Sequence, residues 1–350
     1  MADFVLYGAN GYTGRLTARM AVERGLRPIL AGRNAAEVGA LAAELGLEHR
    51  AFGLDDAAAV DAGLAGATVV LHCAGPFART AKPMVDACLR TGVHYLDITG
   101  EIEVFEALAR RGAAAEKAGV MLLPGSGFDV VPSDCLAAHL KERLPTATRL
   151  TLAFRGTAGV SRGTATTMAE NLGRGGAVRR GGKIVPVPAA WRTREVDFGR
   201  GPVTVTTIPW GDVSTAFYST SIPEIEVYTR VPDGARRMMV ATRHLGWLMA
   251  SGPVQKLIQR RIQAAPAGPT DEQRATGASY LWGEVEDAHG RRACSRLRTP
   301  EGYTLTAMTS LAIVQRVLDG DVHPGFRTPS LAYGADFILE IEGVKREDVG

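Results

Sequence analysis

The sequence predicts an α/β fold, a doubly wound parallel sheet carrying an inserted domain of mixed α+β character. Three observations lead there. The first third alternates short apolar runs with amphipathic helical stretches, which is how parallel strands joined by crossovers read. A glycine-rich turn, Gly8-Ala9-Asn10-Gly11-Tyr12-Thr13-Gly14, directly follows the first apolar run and opens the first helical stretch. After Pro132 the rhythm shifts to longer runs of alternating polarity with Gly- and Arg-rich loops between them.

Taken in order, Phe4 to Tyr7 forms the first strand, and Arg15 to Arg24 a helix stopped by Gly25. Pro28 to Ala31 is the second strand, and Ala35 to Leu45 a helix ended by Gly46. Glu48 to Phe52 is the third strand, with a short helix from Ala57 to Leu64 behind it. Thr68 to Cys73 is the fourth, followed by a helix over Lys82 to Thr91 closed by Gly92. His94 to Ile98 is the fifth, Glu103 to Lys117 one helix, and Val120 to Leu123 the sixth strand. Six strands with five crossovers complete one doubly wound sheet. Beyond it, Arg149 to Phe154, Val203 to Thr207, Trp282 to Glu286 and Ala293 to Arg298 are strands of a mixed or antiparallel sheet, and Gly173 to Gly182 reads as a long loop. Arg236 to Ile262 is one helical stretch rich in Met and Trp; Leu305 to Leu318 is a strong helix, and Asp336 to Ile341 a last short element.

Composition narrows the function. A chain of 350 residues favours more than one domain, and 46% hydrophobic with 22% charged residues is enough for a sizeable core. The formal net charge of +3 is small and its basic residues are scattered, which argues against a nucleic-acid partner. The four cysteines, Cys73, Cys88, Cys135 and Cys294, lie far apart with no CxxC spacing, so neither a metal site nor a disulfide framework is expected. The start enters a strand pattern by Phe4, leaving no room for a signal peptide, and there is no apolar run of membrane-spanning length. A cytoplasmic setting follows as the expectation.

The turn after strand one carries the chemistry. Its GxxGxxG spacing is weak alone, but here it sits between an apolar strand and a helix. Gly8 permits the sharp turn, Gly11 lets the backbone approach a diphosphate, and Gly14 lets the helix pack on the strand. Asn10, Tyr12 and Thr13 fill the turn between them, and free N–H groups at the helix start face the phosphates. This is a Rossmann dinucleotide site. An NAD site usually ends strand two with Asp or Glu about 20 residues past the glycines. This chain has Ala31-Gly32-Arg33-Asn34 there, so Arg33 pairs with a 2′-phosphate, Asn34 lies beside it, and NADP is the expected cofactor. Asp55 suits a contact to adenine, and Asp55-Asp56 equally suits a helix cap. Ala74-Gly75-Pro76-Phe77, after strand four, lets the chain pass beside the nicotinamide ribose.

The ends of strands five and six carry Asp97, Glu101 and Asp129 on the ligand side of the sheet. Reduction of a polar double bond needs a proton donor, and these carboxylates or Tyr95 are the candidates. Each also has a local structural reading: turn or cap for Asp97 and Glu101, Asx-turn acceptor for Asp129, helix-terminal charge for Asp134. No Ser…Tyr-x-x-x-Lys arrangement is present. His72 reads as a buried, satisfied imidazole and Cys73 as a small core residue. Arg162 holds either an anionic substrate group or solvent. The Met- and Trp-rich helix at 236–262 is a core or dimer surface, a flap over an apolar substrate, or a peripheral membrane or lipid contact.

The sequence resembles the saccharopine dehydrogenase-like oxidoreductases, including their trans-acting enoyl reductase branch. The residues that carry this are Gly8 to Gly14 with Arg15-Leu16, Ala31-Gly32-Arg33, Ala74-Gly75-Pro76-Phe77, Tyr95-Leu96-Asp97 with Thr99-Gly100-Glu101, and Gly127-Phe128-Asp129-Val130-Val131-Pro132-Ser133-Asp134. Glu301-Gly302-Tyr303 and Thr328-Pro329 add to them. The resemblance implies C-terminal helices that return to the Rossmann domain. The chain then divides into 1–135 for NADP, 136–304 for substrate and dimerisation, and 305–350 for the returning helices. It also implies a homodimer. Three functions stay open: hydride transfer from NADPH to an enoyl or carbonyl group of a hydrophobic, lipid- or polyketide-like small molecule; saccharopine-type oxidation of an amino-acid adduct; and a non-catalytic NADP-binding sensor or scaffold.

Overall fold

A computed structural model of the chain describes residues 4–157, 159–170, 175–249 and 251–349, without the side chains at 170, 242 and 244–250. The chain forms two compact units, one of Met1–Val131 with Tyr303–Ala332, the other of Pro132–Gly302 with Tyr333–Gly350.

In the first unit the elements run β1 (Phe4–Tyr7), α1 (Tyr12–Glu23), β2 (Ile29–Gly32), α2 (Ala35–Leu45), β3 (His49–Ala51), α3 (Ala57–Leu64), β4 (Val69–His72), α4 (Phe77–Thr91), β5 (His94–Asp97), α5 (Ile102–Ala109), α6 (Gly112–Lys117) and β6 (Met121–Leu123). β1, β2 and β4 are buried along their whole length, as parallel strands covered on both faces must be. β1 is central: Leu6 is in register with Leu30 of β2 on one side and Leu71 of β4 on the other. The chain winds outward through β3, then crosses to β4 on the far side of β1. That reversal opens a crevice at the strands' C-terminal ends, where ligands of this fold bind.

The first unit departs from expectation at three points. α4 begins at Phe77 instead of Lys82, although Pro83 lies inside it. The expected helix from Glu103 to Lys117 is two helices, α5 and α6. Gly112, which opens α6, lies close under Phe326: a Cβ there would be 3.2 Å from Phe326 Cβ. Phe326 belongs to a seventh strand not foreseen, Gly325–Phe326, which pairs in parallel with β6.

The second unit contains α7 (Val131–Arg143), β7 (Ala147–Gly156), α8 (Arg162–Glu170), β8 (Gly176–Arg180), β9 (Lys183–Val187), β10 (Thr193–Asp197), β11 (Pro202–Thr207), α9 (Asp212–Thr220), β12 (Glu224–Thr229), α10 (Asp233–Met249), α11 (Gly252–Ala264), α12 (Asp271–Thr276), β13 (Ala278–Asp287) and β14 (Arg292–Pro300). There follow α13 (Gly302–Leu318), which runs into the first unit, then β15 (Gly325–Phe326), α14 (Pro329–Tyr333) and β16 (Lys345–Val349). The first sheet has the order β15-β6-β5-β4-β1-β2-β3 and the second β10-β11-β12-β7-β13-β14-β16. β7 and β12 are parallel and the other pairs of the second sheet antiparallel, so the sheet is mixed. One face packs Val196, Phe198, Val205, Tyr228, Tyr280 and Trp282 into a core.

The second unit also departs from expectation. The stretch Gly173 to Gly182 is not a loop throughout: it contains β8, which turns through Gly181 (φ 53°) and Gly182 (φ 74°) into β9. Two successive positive φ angles make the tight hairpin turn that suits twisted strands; residues 171–174 lie outside the described residues. The helical stretch at 236–262 is two helices, α10 and α11, with Gly252 and Pro253 opening the second. Of its apolar residues, Met238 is 67% and Leu257 56% exposed. The side chains of Leu245, Trp247, Leu248 and Met249 lie outside the described residues. The end of the chain, expected as helices on the Rossmann domain, instead finishes in β16, which pairs with β14 (Leu297 with Arg346). Among the described residues no helix is long and apolar enough to cross a membrane.

Candidate functional site

The glycines of the first turn are demanded by close packing. Gly8 leaves β1 at φ +82°, and its N–H donates to Ala31 O at 2.8 Å. A Cβ on Gly8 would lie 2.8 Å from Ala74 N, so this turn runs against the exit of β4. A Cβ on Gly14 would lie 2.3 Å from Gly8 O, which leaves glycine the residue that lets α1 dock there. Gly11 differs: its nearest neighbour would be Gly8 O at 3.3 Å, and it is exposed. The first turn of α1 has no side-chain cap and no acidic residue, so the positive end of the helix is not neutralised by its own sequence. Tyr12 packs edge-on against Tyr303 with ring centroids 5.1 Å apart.

At the end of β2 the Arg33 side chain is exposed, and among the described residues no hydrogen bond or ion pair engages it. Asn34 is the N-cap of α2, accepting from Glu37 N and donating to Glu37 Oε1 at 2.7 Å. Asn10 donates to Glu37 Oε2 at 2.8 Å. Two side chains assigned to the cofactor thus hold a carboxylate of the protein itself, and sequence reasoning missed this clasp. Asp56 caps α3 by accepting from Ala58 N and Ala59 N, which leaves Asp55 outside the cap. The Tyr7 phenol, pushed up to about 12 chiefly by burial, is pulled down by the charge of Arg33 and up by that of Asp55. The ends of β2 and β3 therefore meet around it.

At the end of β4, Gly75–Pro76 is a cis bond and Pro76 precedes the first residue of α4. The Glu101 carboxylate accepts from Phe77 N and Ala78 N, both at 2.8 Å. Glu101 therefore caps α4 from 24 residues away, which explains the early start of that helix. Both its oxygens are engaged, and the geometry gives it no proton to transfer.

Asp97, fully buried, is also tied down. Oδ1 accepts from Thr99 N and Gly125 N at 2.9 Å each, and Oδ2 accepts from the Tyr95 hydroxyl at 2.7 Å. Burial raises its pKa to about 6, while the two backbone donors and Tyr95 pull it down. Asp97 O in turn accepts from Ser126 N at 2.7 Å, so the residue knots β5 to the turn after β6. Tyr95 spends its proton in that knot, and burial holds it well above the usual tyrosine range.

Asp129 stands apart. Its Oδ1 is enclosed and among the described residues has no hydrogen-bond partner. Burial raises its pKa to about 7. It lies over Gly100, where a Cβ would be only 2.6 Å from Asp129 Oδ2. Because Gly100 precedes the Glu101 that holds Phe77, the Asp129 carboxyl, the β5 exit and the start of α4 form one neighbourhood.

The turn that carries Asp129 is fixed from α13, a contribution the sequence did not disclose. Thr306 Oγ1 accepts from Phe128 N at 3.0 Å, Thr309 Oγ1 donates to Ser126 O at 2.7 Å, and Ser310 Oγ lies 2.9 Å from Ser126 Oγ. His72 corrects its reading: it is buried, but both ring nitrogens lack partners. It sits among the rings of Tyr7, Phe77 and Tyr95, and burial lowers its pKa to about 3, so it stays a neutral core ring. Arg162 Nε donates to Ala265 O at 2.6 Å, which ties α8 to the end of α11.

The parallel sheet reversing at β1, with a glycine turn feeding an uncapped helix, defines a Rossmann dinucleotide-binding protein. Residues 4–123 match the saccharopine dehydrogenase NADP binding domain. Over 152 residues the chain is 38% identical to a trans-acting enoyl reductase of Mycobacterium leprae (strain TN), a match covering 41% of this chain and 36% of that protein. Over 149 residues it is 34% identical to the trans-acting enoyl reductase of Mycobacterium tuberculosis (strain ATCC 25618 / H37Rv), covering 40% of this chain and 36% of that one. The matches span about a third of the length of these curated relatives. Among solved structures, apo saccharopine dehydrogenase (L-Glu forming) from Saccharomyces cerevisiae superposes with a TM-score of 0.68 over 100% of both chains at 13% identity, a likeness of fold.

Proposed function

We propose that the chain is an NADP-dependent oxidoreductase that reduces an enoyl or carbonyl group of an apolar, lipid- or polyketide-like small molecule. The observation that carries this reading is the Asp129 carboxyl. Its Oδ1 is enclosed and has no partner among the described residues, and desolvation raises its pKa to about 7 at the edge of the sheet where this fold places its ligands. A general acid poised near neutral pH has this environment.

The residues present fit the dinucleotide. Gly8, Gly11, Tyr12, Thr13 and Gly14, with the N-terminal N–H groups of α1, would hold the diphosphate. Arg33, with no partner among the described residues, would hold the 2′-phosphate, and Asp55 the adenine side. Ala74, Gly75, Pro76 and Phe77 would flank the nicotinamide ribose. Asn10 and Asn34 act at one remove, keeping the Glu37 carboxylate clasped. When bound, NADPH supplies a hydride. Asp129 supplies the proton to the other atom of the reduced double bond and recovers one from solvent. Asp97 and Glu101, also candidates from the sequence, act as positioning residues: one fixes the β5–β6 turn, the other fixes the start of α4.

Two curated relatives named trans-acting enoyl reductase support the reaction class. The free thiols of Cys73, Cys88, Cys135 and Cys294 fit a cytoplasmic setting. A homodimer completes the proposal.

The test mixes purified protein with NADPH and a panel of enoyl and keto thioesters and follows NADPH absorbance. At least one long-chain thioester is expected to turn over, and Asp129→Asn is expected to bind NADPH but not turn it over. No turnover across the panel despite tight NADPH binding would favour a sensor. Oxidation of saccharopine by NADP in a parallel assay would favour the amino-acid adduct chemistry.

A further inference from the structure

We propose that the second unit carries a site for a phosphate ester, built by Arg155, Arg230 and Arg236. These residues line a cavity of about 400 Å³ formed by the end of β7, β11 and the segment leading into α10. One carboxylate, Asp233, shares it, so three guanidinium groups face one negative charge. The surplus of two positive charges matches a phosphate monoester dianion better than a monocarboxylate.

The way these arginines are left distinguishes them from their neighbours. On a second concave patch of the same unit, Arg192 pairs with Glu226 at 3.0 Å, Arg149 with Glu286 at 3.4 Å, Arg180 with Glu226 and Arg194 with Glu284. In the phosphate cavity, Arg155 and Arg230 have no ion pair among the described residues, and Arg236 has only a 3.5 Å contact to an Asp233 side chain that is 81% exposed. The Nε atoms of Arg155 and Arg236 are buried with no hydrogen-bond partner. A buried guanidinium donor is rarely left without an acceptor, and an anion in the cavity would supply one.

Arg155 is also held in place. Its guanidinium lies 5.2 Å from the Phe198 ring centroid and 5.0 Å from that of Tyr280. These ring contacts use the cation's charge and not its N–H groups, which leaves the N–H donors for an oxyanion. Thr204 and Thr206, two residues apart on β11, line the same cavity and add hydroxyl donors. Pro202, Val203, Val231 and Pro232 give the rest of the wall an apolar character. A bare phosphate does not fill such a volume, so the ligand is an ester with an apolar body.

Isothermal titration of the full chain with phenyl phosphate tests this. Binding is expected in the wild type and in Arg33→Ala, and is expected to weaken by about tenfold or more in Arg230→Gln and in Arg155→Gln. Arg230 is exposed, so its variant reads the site even if removing the stacked Arg155 unfolds the domain. Benzoate is expected to bind more weakly than phenyl phosphate. No heat with phenyl phosphate, binding lost in Arg33→Ala, binding unchanged in Arg230→Gln, or benzoate binding equally well would each overturn the proposal.

Discussion

Replacing Asp129 by Asn removes the charge and keeps the shape, and two readouts should then move in opposite directions. In the folded protein burial raises this carboxyl from 3.8 to about 7. Below about pH 4 both folded and unfolded chains hold the proton, so the residue makes no pH-dependent contribution there. As pH rises from about 4 to 7 the unfolded chain ionises and the folded one does not, so the wild type loses stability. The shift of about 3 units corresponds to about 4 kcal/mol, all of it present once the pH exceeds about 7. Asn escapes this loss. Urea unfolding followed by fluorescence should therefore show equal midpoints near about pH 4 and a more stable variant near about pH 8, by up to about 4 kcal/mol. The same variant should lose turnover, and wild-type turnover should fall as pH rises through about 7, because the acid is needed protonated. An Asn variant no more stable than wild type near about pH 8 would refute the burial argument. A wild-type rate that rises through neutrality would refute the role as acid.

Three further outcomes follow from the same contacts. Arg33→Ala should weaken NADPH binding by about 10- to 100-fold in calorimetry and leave NADH unchanged, because among the described residues no ion pair is lost with it; if the clasped Glu37 governs selectivity instead, the wild type will bind NADH more tightly. Gly14→Ala, whose Cβ would lie 2.3 Å from Gly8 O, should lower the melting temperature of the cofactor-free protein, whereas Gly11→Ala, with its nearest neighbour at 3.3 Å, should lower it less and weaken NADPH binding. His72 has its pKa lowered to about 3, so stability present above about pH 6.5 is lost as pH falls toward about 3; His72→Phe should flatten that acid limb in unfolding titrations, and an unchanged limb would show that other groups set it.

The fold of the first unit was legible because its signals are local. A strand buried on both faces shows as an apolar run, as Phe4 to Tyr7 and Val69 to His72 do, and Gly8 and Gly14 sit where the backbone has no room for a side chain. What stayed hidden depends on residues distant in the chain. The start of α4 is fixed by Glu101, the break before α6 faces Phe326, and β15 arrives from beyond α13. The hairpin at Gly181-Gly182 is a different case: its signal was local, but the surrounding Gly and Arg obscured the strands.

The candidate site shows why residue type and position alone do not assign a catalytic role. Asp97, Glu101 and Asp129 all follow strands at the ligand edge, and nothing in the sequence ranks them. Tertiary partners do. Asp97 receives two backbone N–H groups and a tyrosine hydroxyl, and Glu101 receives the two N–H groups at the start of α4. Asp129 is partly buried like Glu101, yet its Oδ1 is enclosed and among the described residues receives no donor, over a Gly100 whose missing side chain leaves the carboxyl its place. A buried carboxylate with donors serves the fold as an anion, whereas one without donors keeps its proton to near neutrality and is equipped to give it away. Displacing Asp129 should then abolish its function without removing it. A Gly100→Ala variant, whose Cβ would press on Asp129 Oδ2, is expected to lose turnover while it still binds NADPH, and full turnover in that variant would refute the placement argument.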